Sequence, residues 1–279
     1  MVIIFPGQGS QHTGMGRDLF AKHPRETQEA SDILGYDVAA LCVEDRERKL
    51  SQTQFTQPAL FVVSALSYLD LGAPAATYFA GHSLGEFNAL WAAGAFEFAT
   101  GVRLVQKRGE LMSRVRGGGM AAVIGLPPRD VRRVLVSSSV DVANYNSYDQ
   151  TVVSGLAHEI EATIPILRRA NAKHVVPLDV SAPFHSRHMQ DTANEFAAFL
   201  QTMPISAPRT PVIANATALP YAPDAVRETL LAQVCGPVRW IESIEYLVRC
   251  GERELIEVGP GNVLTKLVHN IREKTAFAN

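Results

Sequence analysis

The pentapeptide Gly81-His82-Ser83-Leu84-Gly85 constrains the fold more than any other part of the chain. A Gly-x-Ser-x-Gly string is typical of a nucleophile elbow, a sharp turn that joins a strand to a helix and exposes the serine hydroxyl. Glycine suits both flanks because side chains there would collide with the neighbouring strand and helix. Residues 77–80 favour a strand and residues 84–95 favour a helix. We therefore predict that Ser83 is a nucleophile; the alternative is a tight turn with an incidental serine.

Composition describes a globular protein with no global affinity for nucleic acid. The 279 residues are 47% hydrophobic and 19% charged, with a formal net charge of −2. The apolar segment 1–5 has no basic residue and is followed at once by Pro6 and Gly7, so we expect neither a signal peptide nor a membrane span. Three widely spaced cysteines form no metal or disulfide pattern, which favours a reduced, cytoplasmic protein without a metal.

The glycine run 117–119 is the first candidate for a domain boundary. Beyond it, the patterns predict strand, helix, strand, strand, helix and strand, the order of the ferredoxin-like unit. These elements are predicted at residues 120–126, 127–137, 140–144, 151–154, 158–170 and 174–180. We therefore predict a small ferredoxin-like (βαββαβ) subdomain over residues 119–182. It is inserted into a large α/β domain that comprises residues 1–118 and 183–279.

Helices of the large domain are predicted on both sides of the elbow. One covers Asp18 to Ala30, and an apolar helix opens at Gln57-Pro58 and runs to about Leu69. A third covers Thr100 to Arg114. Together with the elbow strand, these helices favour a sheet covered by helices.

A serine hydroxyl needs a base within hydrogen-bond reach to act as a nucleophile. The chain has eight histidines. His82 adjoins Ser83, but neighbouring side chains on such a turn point apart, so His82 is a poor candidate. His185 directly follows the last strand of the predicted insert, where the chain must re-enter the large domain. We favour His185 as the base; the alternative is a histidine on a surface loop.

Six ordered motifs resemble malonyl-CoA:acyl carrier protein transacylases and the related acyltransferase domains of polyketide synthases. The resemblance runs from about residue 2 to residue 271 and implies an α/β-hydrolase-like large domain with a parallel sheet and an inserted ferredoxin-like subdomain. The motifs are Phe5-Pro6-Gly7-Gln8-Gly9-Ser10-Gln11, Thr56-Gln57-Pro58-Ala59, Gly81-His82-Ser83-Leu84-Gly85-Glu86, Arg108-Gly109-Glu110-Leu111-Met112, Ala182-Pro183-Phe184-His185-Ser186 and Glu257-Val258-Gly259-Pro260-Gly261.

The resemblance implies a ping-pong reaction through an acyl-serine. Ser83 would attack the thioester of malonyl-CoA, and the phosphopantetheine thiol of an acyl carrier protein would then take the acyl group. His185 would serve as base and then as acid, steadied by a backbone carbonyl at Gln233. The backbone N–H groups of Gln8 and Leu84 would form the oxyanion hole. A phosphate-binding role of the glycine loop around Gln8 is disfavoured because the lysine and spacing of a P-loop are absent.

The resemblance also assigns residues to substrate selection. Arg108 would pair with the free carboxylate of the malonyl group through two parallel hydrogen bonds; the alternative is a solvated helix arginine. Phe184 would crowd a substituent at C2, although Ala182-Pro183 departs from the usual His-Ala before Phe-His. Gln57 would line the pocket, or it is simply a polar residue at a helix start.

The expected activity is therefore malonyl transfer from malonyl-CoA to an acyl carrier protein, without a bound cofactor. Residues 85–90 resemble discrete acyltransferases that supply a polyketide synthase in trans more than the housekeeping enzymes of fatty acid synthesis, so the resemblance implies the polyketide role. The alternatives are an acyl hydrolase of the same fold, which Arg108 argues against, and an inactive carrier-protein docking module. We expect a cytoplasmic monomer that contacts neither nucleic acid nor membrane. An acidic carrier protein would meet a basic rim, for which the candidates are Arg114, Arg116, Arg187 and Arg239.

Overall fold

A computed structural model describes residues 1–276 of the chain, so residues 277–279 of the predicted large domain lie outside the described part. The strands are β1 (Val2–Phe5), β2 (Tyr78–Gly81), β3 (Gly118–Ile124), β4 (Asp141–Ser147), β5 (Gln150–Leu156), β6 (His174–Pro177), β7 (Val212–Ile213) and β8 (Leu255–Glu257). The helices are α1 (Arg17–Lys22), α2 (Pro24–Leu34), α3 (Val38–Val43), α4 (Thr53–Asp70), α5 (Gly85–Ala92), α6 (Phe98–Arg114), α7 (Pro128–Leu135), α8 (Ala157–Arg169), α9 (Gln190–Thr202), α10 (Val226–Cys235), α11 (Trp240–Arg249) and α12 (Val263–Ala276).

A parallel sheet with the strand order β7-β2-β1-β8 forms the centre of the molecule. All four residues of β1 are buried, as expected for a strand of a parallel sheet covered on both faces. Successive side chains alternate between two cores. Ile3 and Phe5 belong to the larger core, which includes residues of α4, α5 and α6, whereas Val2 and Ile4 belong to the core with α11 and α12.

A separate antiparallel sheet has the order β4-β5-β3-β6, with α7 and α8 packed on it. Its own core includes Val123, Val131, Val153 and Leu167. The element order β-α-β-β-α-β and the strand order are those of a ferredoxin-like unit. The predicted fold class, a parallel α/β sheet with an additional ferredoxin-like unit, is confirmed.

Two of the helix predictions were wrong in detail. The helix predicted over Asp18–Ala30 is two helices that meet at His23, because Pro24 opens α2 and carries no N–H to continue α1. The apolar helix begins at Thr53 rather than at Gln57, so Pro58 lies in its second turn. A proline so near the start removes only one backbone hydrogen bond, and residues 59–66 of α4 are all buried.

Within residues 1–276, no helix is both long enough and apolar enough to cross a membrane.

Candidate active site

The structure forms the predicted elbow between β2 and α5. Ser83 has a φ of 50°, in the left-handed region that non-glycine residues adopt rarely and mostly at functional sites. The flanking glycines are required by space. A Cβ at Gly81 would lie 2.0 Å from backbone atoms of Gly85, and a Cβ at Gly85 would lie 2.1 Å from the carbonyl oxygen of Phe5. The close packing of strand and helix therefore holds the serine in its strained conformation.

His185 lies beside Ser83, and its other ring nitrogen is held by backbone carbonyls. The Ser83 Oγ is 2.7 Å from His185 Nε2. His185 Nδ1 lies 2.8 Å from the carbonyl oxygen of Gln233 and 3.2 Å from that of Gly236. Because a carbonyl can only accept, Nδ1 carries the proton and Nε2 is left to accept the serine hydroxyl. His185 also has a positive φ, 57°.

The surroundings keep the His185 imidazole neutral. The side chain is 4% exposed. Burial, followed by the nearby charge of Arg108, lowers the pKa of His185 to about 3, and the hydrogen bond to the Gln233 carbonyl offsets this only in part. The imidazole is therefore available as a base at neutral pH.

Arg108 is buried, with 2% of its surface exposed, and its guanidinium reaches Ser83. Nη2 donates to Ser83 Oγ at 3.2 Å and to Gln233 Oε1 at 2.9 Å, while Nη1 donates to Gln57 Oε1 at 2.8 Å. The guanidinium carbon also lies 5.5 Å from the centroid of the Phe87 ring. Burial lowers the pKa of Arg108 to about 10, so the group stays charged at neutral pH. The solvated-arginine alternative is wrong because α6 directs this side chain inward.

A cavity of about 120 Å³ opens at the Ser83 hydroxyl. It is large enough for an acyl group of a few heavy atoms. The predicted site residues that line it are Gln8, Gln57, Ser83, Leu84, Arg108, Phe184 and His185. Gln233 stands behind this wall and contacts Arg108 and His185 instead.

The two predicted oxyanion-hole donors belong to residues that line the same cavity as Ser83. Gln8 and Leu84 both line the cavity, and within residues 1–276 neither backbone N–H donates to another backbone or side-chain group. The Gln8 loop approaches the elbow closely, since a Cβ at Gly7 would lie 2.4 Å from the carbonyl oxygen of His82. His82 itself turns away from Ser83, and its Nε2 lies 2.8 Å from Asn146 Oδ1.

The profile of the family described as acyl transferase domain matches residues 2–276. The chain belongs to this family. The polyketide biosynthesis malonyl CoA-acyl carrier protein transacylase PksC of Bacillus subtilis is 47% identical, over 97% of this acyltransferase and 96% of PksC. The malonyl CoA-acyl carrier protein transacylase of Escherichia coli K12 is 39% identical, over 96% and 91% of the two chains. The polyketide biosynthesis protein ThaF of Burkholderia thailandensis is 49% identical, but the acyltransferase spans only 24% of its length.

Solved structures resemble the acyltransferase over nearly its whole length. The malonyl CoA-acyl carrier protein transacylase of Burkholderia pseudomallei has a TM-score of 0.92 at 43% identity and covers 98% of both chains. A type II PKS acyl-carrier protein in complex with its malonyl-transacylase gives a TM-score of 0.89 at 37% identity, over 98% of this chain and 93% of that one. These comparisons agree with the expected resemblance.

Three polar residues at the site of the acyltransferase were missed by the sequence analysis. Asn215 clamps the elbow, because its Oδ1 accepts from the Ser83 N–H at 2.7 Å and its Nδ2 donates to the Gly81 carbonyl at 2.6 Å. Glu86 and Tyr221 are hydrogen-bonded to each other behind the elbow. One signal could have revealed Asn215: it follows β7, and polar residues at the carboxyl ends of parallel strands commonly line sites.

The four arginines predicted to form a basic rim differ in their ion-pair and hydrogen-bond partners. Arg187 is paired with Asp141, Arg239 with Glu242, and Arg114 with Glu110 and Glu195. Arg116 donates to backbone carbonyls and lines a surface groove that it shares with Phe184. Among residues 1–276, no group of three or more His, Cys, Asp or Glu side chains is arranged to hold a metal ion.

Proposed function

We propose that the chain transfers a malonyl group from malonyl-CoA to the phosphopantetheine thiol of an acyl carrier protein. The observation that carries the proposal is the buried Arg108 guanidinium, 3.2 Å from the Ser83 hydroxyl in a cavity sized for a small acyl group. In a malonyl-Ser83 ester the free carboxylate is one methylene away from the ester carbonyl, which would bring it within reach of this guanidinium. The names and high coverage of the transacylase relatives support the same assignment.

The arrangement supports a double displacement. His185 Nε2 takes the hydroxyl proton of Ser83 as the oxygen attacks the thioester carbon. The Gln8 and Leu84 N–H groups stabilise the oxyanion, each by about 3 kcal/mol. The C–S bond then breaks, and the proton passes from His185 to the CoA thiolate. The carrier thiol repeats these steps on the acyl-serine, with the Gln233 carbonyl holding the His185 ring throughout.

Arg108 and its neighbours would select the acyl group. A guanidinium grips a carboxylate through paired hydrogen bonds, which favours malonyl over acetyl. Gln57 holds Arg108 from one side, and Phe184 narrows the cavity against a substituent at C2. The reaction exchanges one thioester for another, so it is balanced without an oxidant, a reductant or a cofactor.

Supply of a polyketide synthase in trans is the pathway we favour. The polyketide-associated relatives PksC and BaeC are each 47% identical over nearly their whole length, whereas the Escherichia coli transacylase is 39% identical. The proposal includes a monomer that works in the cytoplasm. It also includes the division into a large domain, residues 1–118 and 183–279, and a small subdomain, residues 119–182.

The test is acylation followed by intact mass. The protein is incubated separately with malonyl-CoA, methylmalonyl-CoA and acetyl-CoA, beside the variants Ser83→Ala and Arg108→Ala. Arg103→Ala is the matched control, since Arg103 is exposed on the same helix. We expect a malonyl adduct that both site variants lose and the control keeps. An acetyl adduct that survives Arg108→Ala, with no malonyl preference in the parent protein, would contradict the assignment and favour another acyltransferase or a hydrolase.

A further inference from the structure

We propose that Glu86 is a positioning residue which, through the side-chain amide of Gln233, holds the Arg108 guanidinium toward Ser83 and so sets the preference for acyl groups that carry a carboxylate. The inference rests on the proposed function. Glu86 lies in the first turn of α5, three residues after Ser83, and none of its surface is exposed. It does not line the cavity, so it would act through other residues.

Three donors surround the Glu86 carboxylate. The Tyr221 hydroxyl and the Asn215 backbone N–H donate to Oε1, the latter at 3.3 Å. The Gln233 side-chain Nε2 donates to Oε2. A buried carboxylate is stable only when its oxygens are hydrogen-bonded, and these three donors meet that requirement for Glu86.

The carboxylate decides which way the Gln233 amide faces. Above its pKa of about 7 the Glu86 carboxylate is ionised and can only accept, so the NH₂ of Gln233 must then point toward it. The same NH₂ donates to the Ser83 carbonyl at 2.9 Å. The amide oxygen is thereby turned toward Arg108, whose Nη2 donates to it at 2.9 Å. A flipped amide would set its donors against the guanidinium and leave the carboxylate facing an oxygen.

Charge reinforces this geometry. Glu86 and Arg108 make no direct ion pair, and Gln233 bridges them in a region where both are buried. A buried guanidinium is costly without a compensating charge. Gln233 links the Glu86 carboxylate to Nη2 of Arg108, the same nitrogen that donates to Ser83 Oγ, so the link fixes the guanidinium nitrogen that contacts the nucleophile.

The catalytic base is held independently of this bridge. His185 contacts the backbone carbonyl of Gln233 rather than its side chain. A change at Glu86 that disturbs only the amide should therefore affect malonyl transfer more than acetyl transfer. A general structural defect would lower both rates in the same proportion.

Glu86→Gln is the test variant because it keeps the size of the side chain and removes its charge. The new amide oxygen can accept from Tyr221 and from the Asn215 N–H, which sets the new NH₂ toward Gln233 and so favours the flipped Gln233 amide. CoA release is measured at a pH above the Glu86 pKa of about 7, with malonyl-CoA and acetyl-CoA, for the parent protein, Glu86→Gln, Arg108→Ala and the double variant. We expect the malonyl-to-acetyl ratio of kcat/KM to fall about ten- to hundredfold in Glu86→Gln, the worth of a charge-assisted hydrogen bond. On the Arg108→Ala background the same change should leave the ratio unaltered.

The outcomes separate this inference from the proposed function. An unchanged ratio in Glu86→Gln, with the ratio lost in Arg108→Ala, would overturn the role of Glu86 alone. A ratio unaffected by Arg108→Ala would overturn the proposed function itself. If Glu86→Gln fails to fold, Gln233→Ala carries the test, because it removes the bridge and keeps the carbonyl that binds His185. That variant must then show the loss of selectivity, and an unchanged ratio would refute the inference.

Discussion

Replacing Glu86 by glutamine should change how the stability of the protein depends on pH. Burial raises the pKa of Glu86 from 4.5 to about 7, and the donors Tyr221, Gln233 and Asn215 offset this only in part. Between these two pH values the folded protein keeps a proton that the unfolded chain has released. The Glu86 contribution to the free energy of unfolding therefore falls as pH rises through this window and stays low above it.

The change in unfolding free energy can be calculated from the difference between the Glu86 pKa values in the folded and unfolded states. A change from 4.5 to about 7 corresponds to about 3 kcal/mol lost across the window. Glu86→Gln carries no ionisable group and lacks this slope. The difference in unfolding free energy, variant minus parent, should rise by about 3 kcal/mol between pH 4.5 and pH 7. His82 and His185, whose lowered pKa values give stability the opposite slope, are common to both proteins and cancel in the difference.

Urea unfolding at a series of pH values measures this difference, with the m-values checked for constancy. Glu110→Gln is the matched control because Glu110 is exposed on α6 and contacts only surface cations. Its difference from the parent should stay nearly flat with pH. A flat difference for Glu86→Gln would refute the reasoning, since it would mean that the buried carboxyl titrates as it does in the unfolded chain.

Four further predictions concern the cleft and the elbow. In Glu86→Gln, which lacks the carboxyl of raised pKa, single-turnover acylation should show no transition near pH 6.5, because burial lowers the pKa of His185 to about 3; a midpoint near 6.5 would contradict this. His185→Ala should slow the same step by about 10²–10⁴-fold. Gly85→Ala should cost about 3 kcal/mol or more in urea unfolding, since its Cβ would meet a backbone oxygen at 2.1 Å, whereas Gly119→Ala, with 3.5 Å of room, should be nearly neutral. Phe184→Ser should weaken discrimination against methylmalonyl-CoA by about 1–3 kcal/mol in competition assays, and unchanged discrimination would remove Phe184 from substrate selection.

The elbow and the order of elements were predictable because their signals are local. The glycines around Ser83 reflect contacts between neighbouring segments, and the alternation of strand and helix in the insert follows from side-chain periodicity. His185 was placed from its position after the last strand of the insert. The substrate-binding role of Arg108 could be predicted only from the family resemblance. Other basic residues lie on the same helix, and no local sequence signal shows which of them is buried.

The hydrogen bonds that link Glu86 to Arg108 through Gln233 could not be predicted from the sequence. Asn215, Tyr221 and Gln233 are far from Glu86 in the chain and meet it only after the sheet has formed. Their hydrogen bonds depend on atomic directions that no residue pattern encodes. The start of α4 was missed for a related reason, because the burial of its apolar residues outweighs the local signal of Pro58.

The backbone at Ser83 limits which nucleophiles this scaffold can ever carry. At a φ of 50° a side chain branched at Cβ is strongly disfavoured. Threonine would offer the same hydroxyl to His185 but cannot take this backbone conformation without strain. Cysteine is unbranched at Cβ and fits the turn. A cysteine in place of Ser83 is therefore compatible with this backbone, and the acyl intermediate would then be a thioester instead of an ester. A threonine, whose hydroxyl is a secondary alcohol, is not compatible with it.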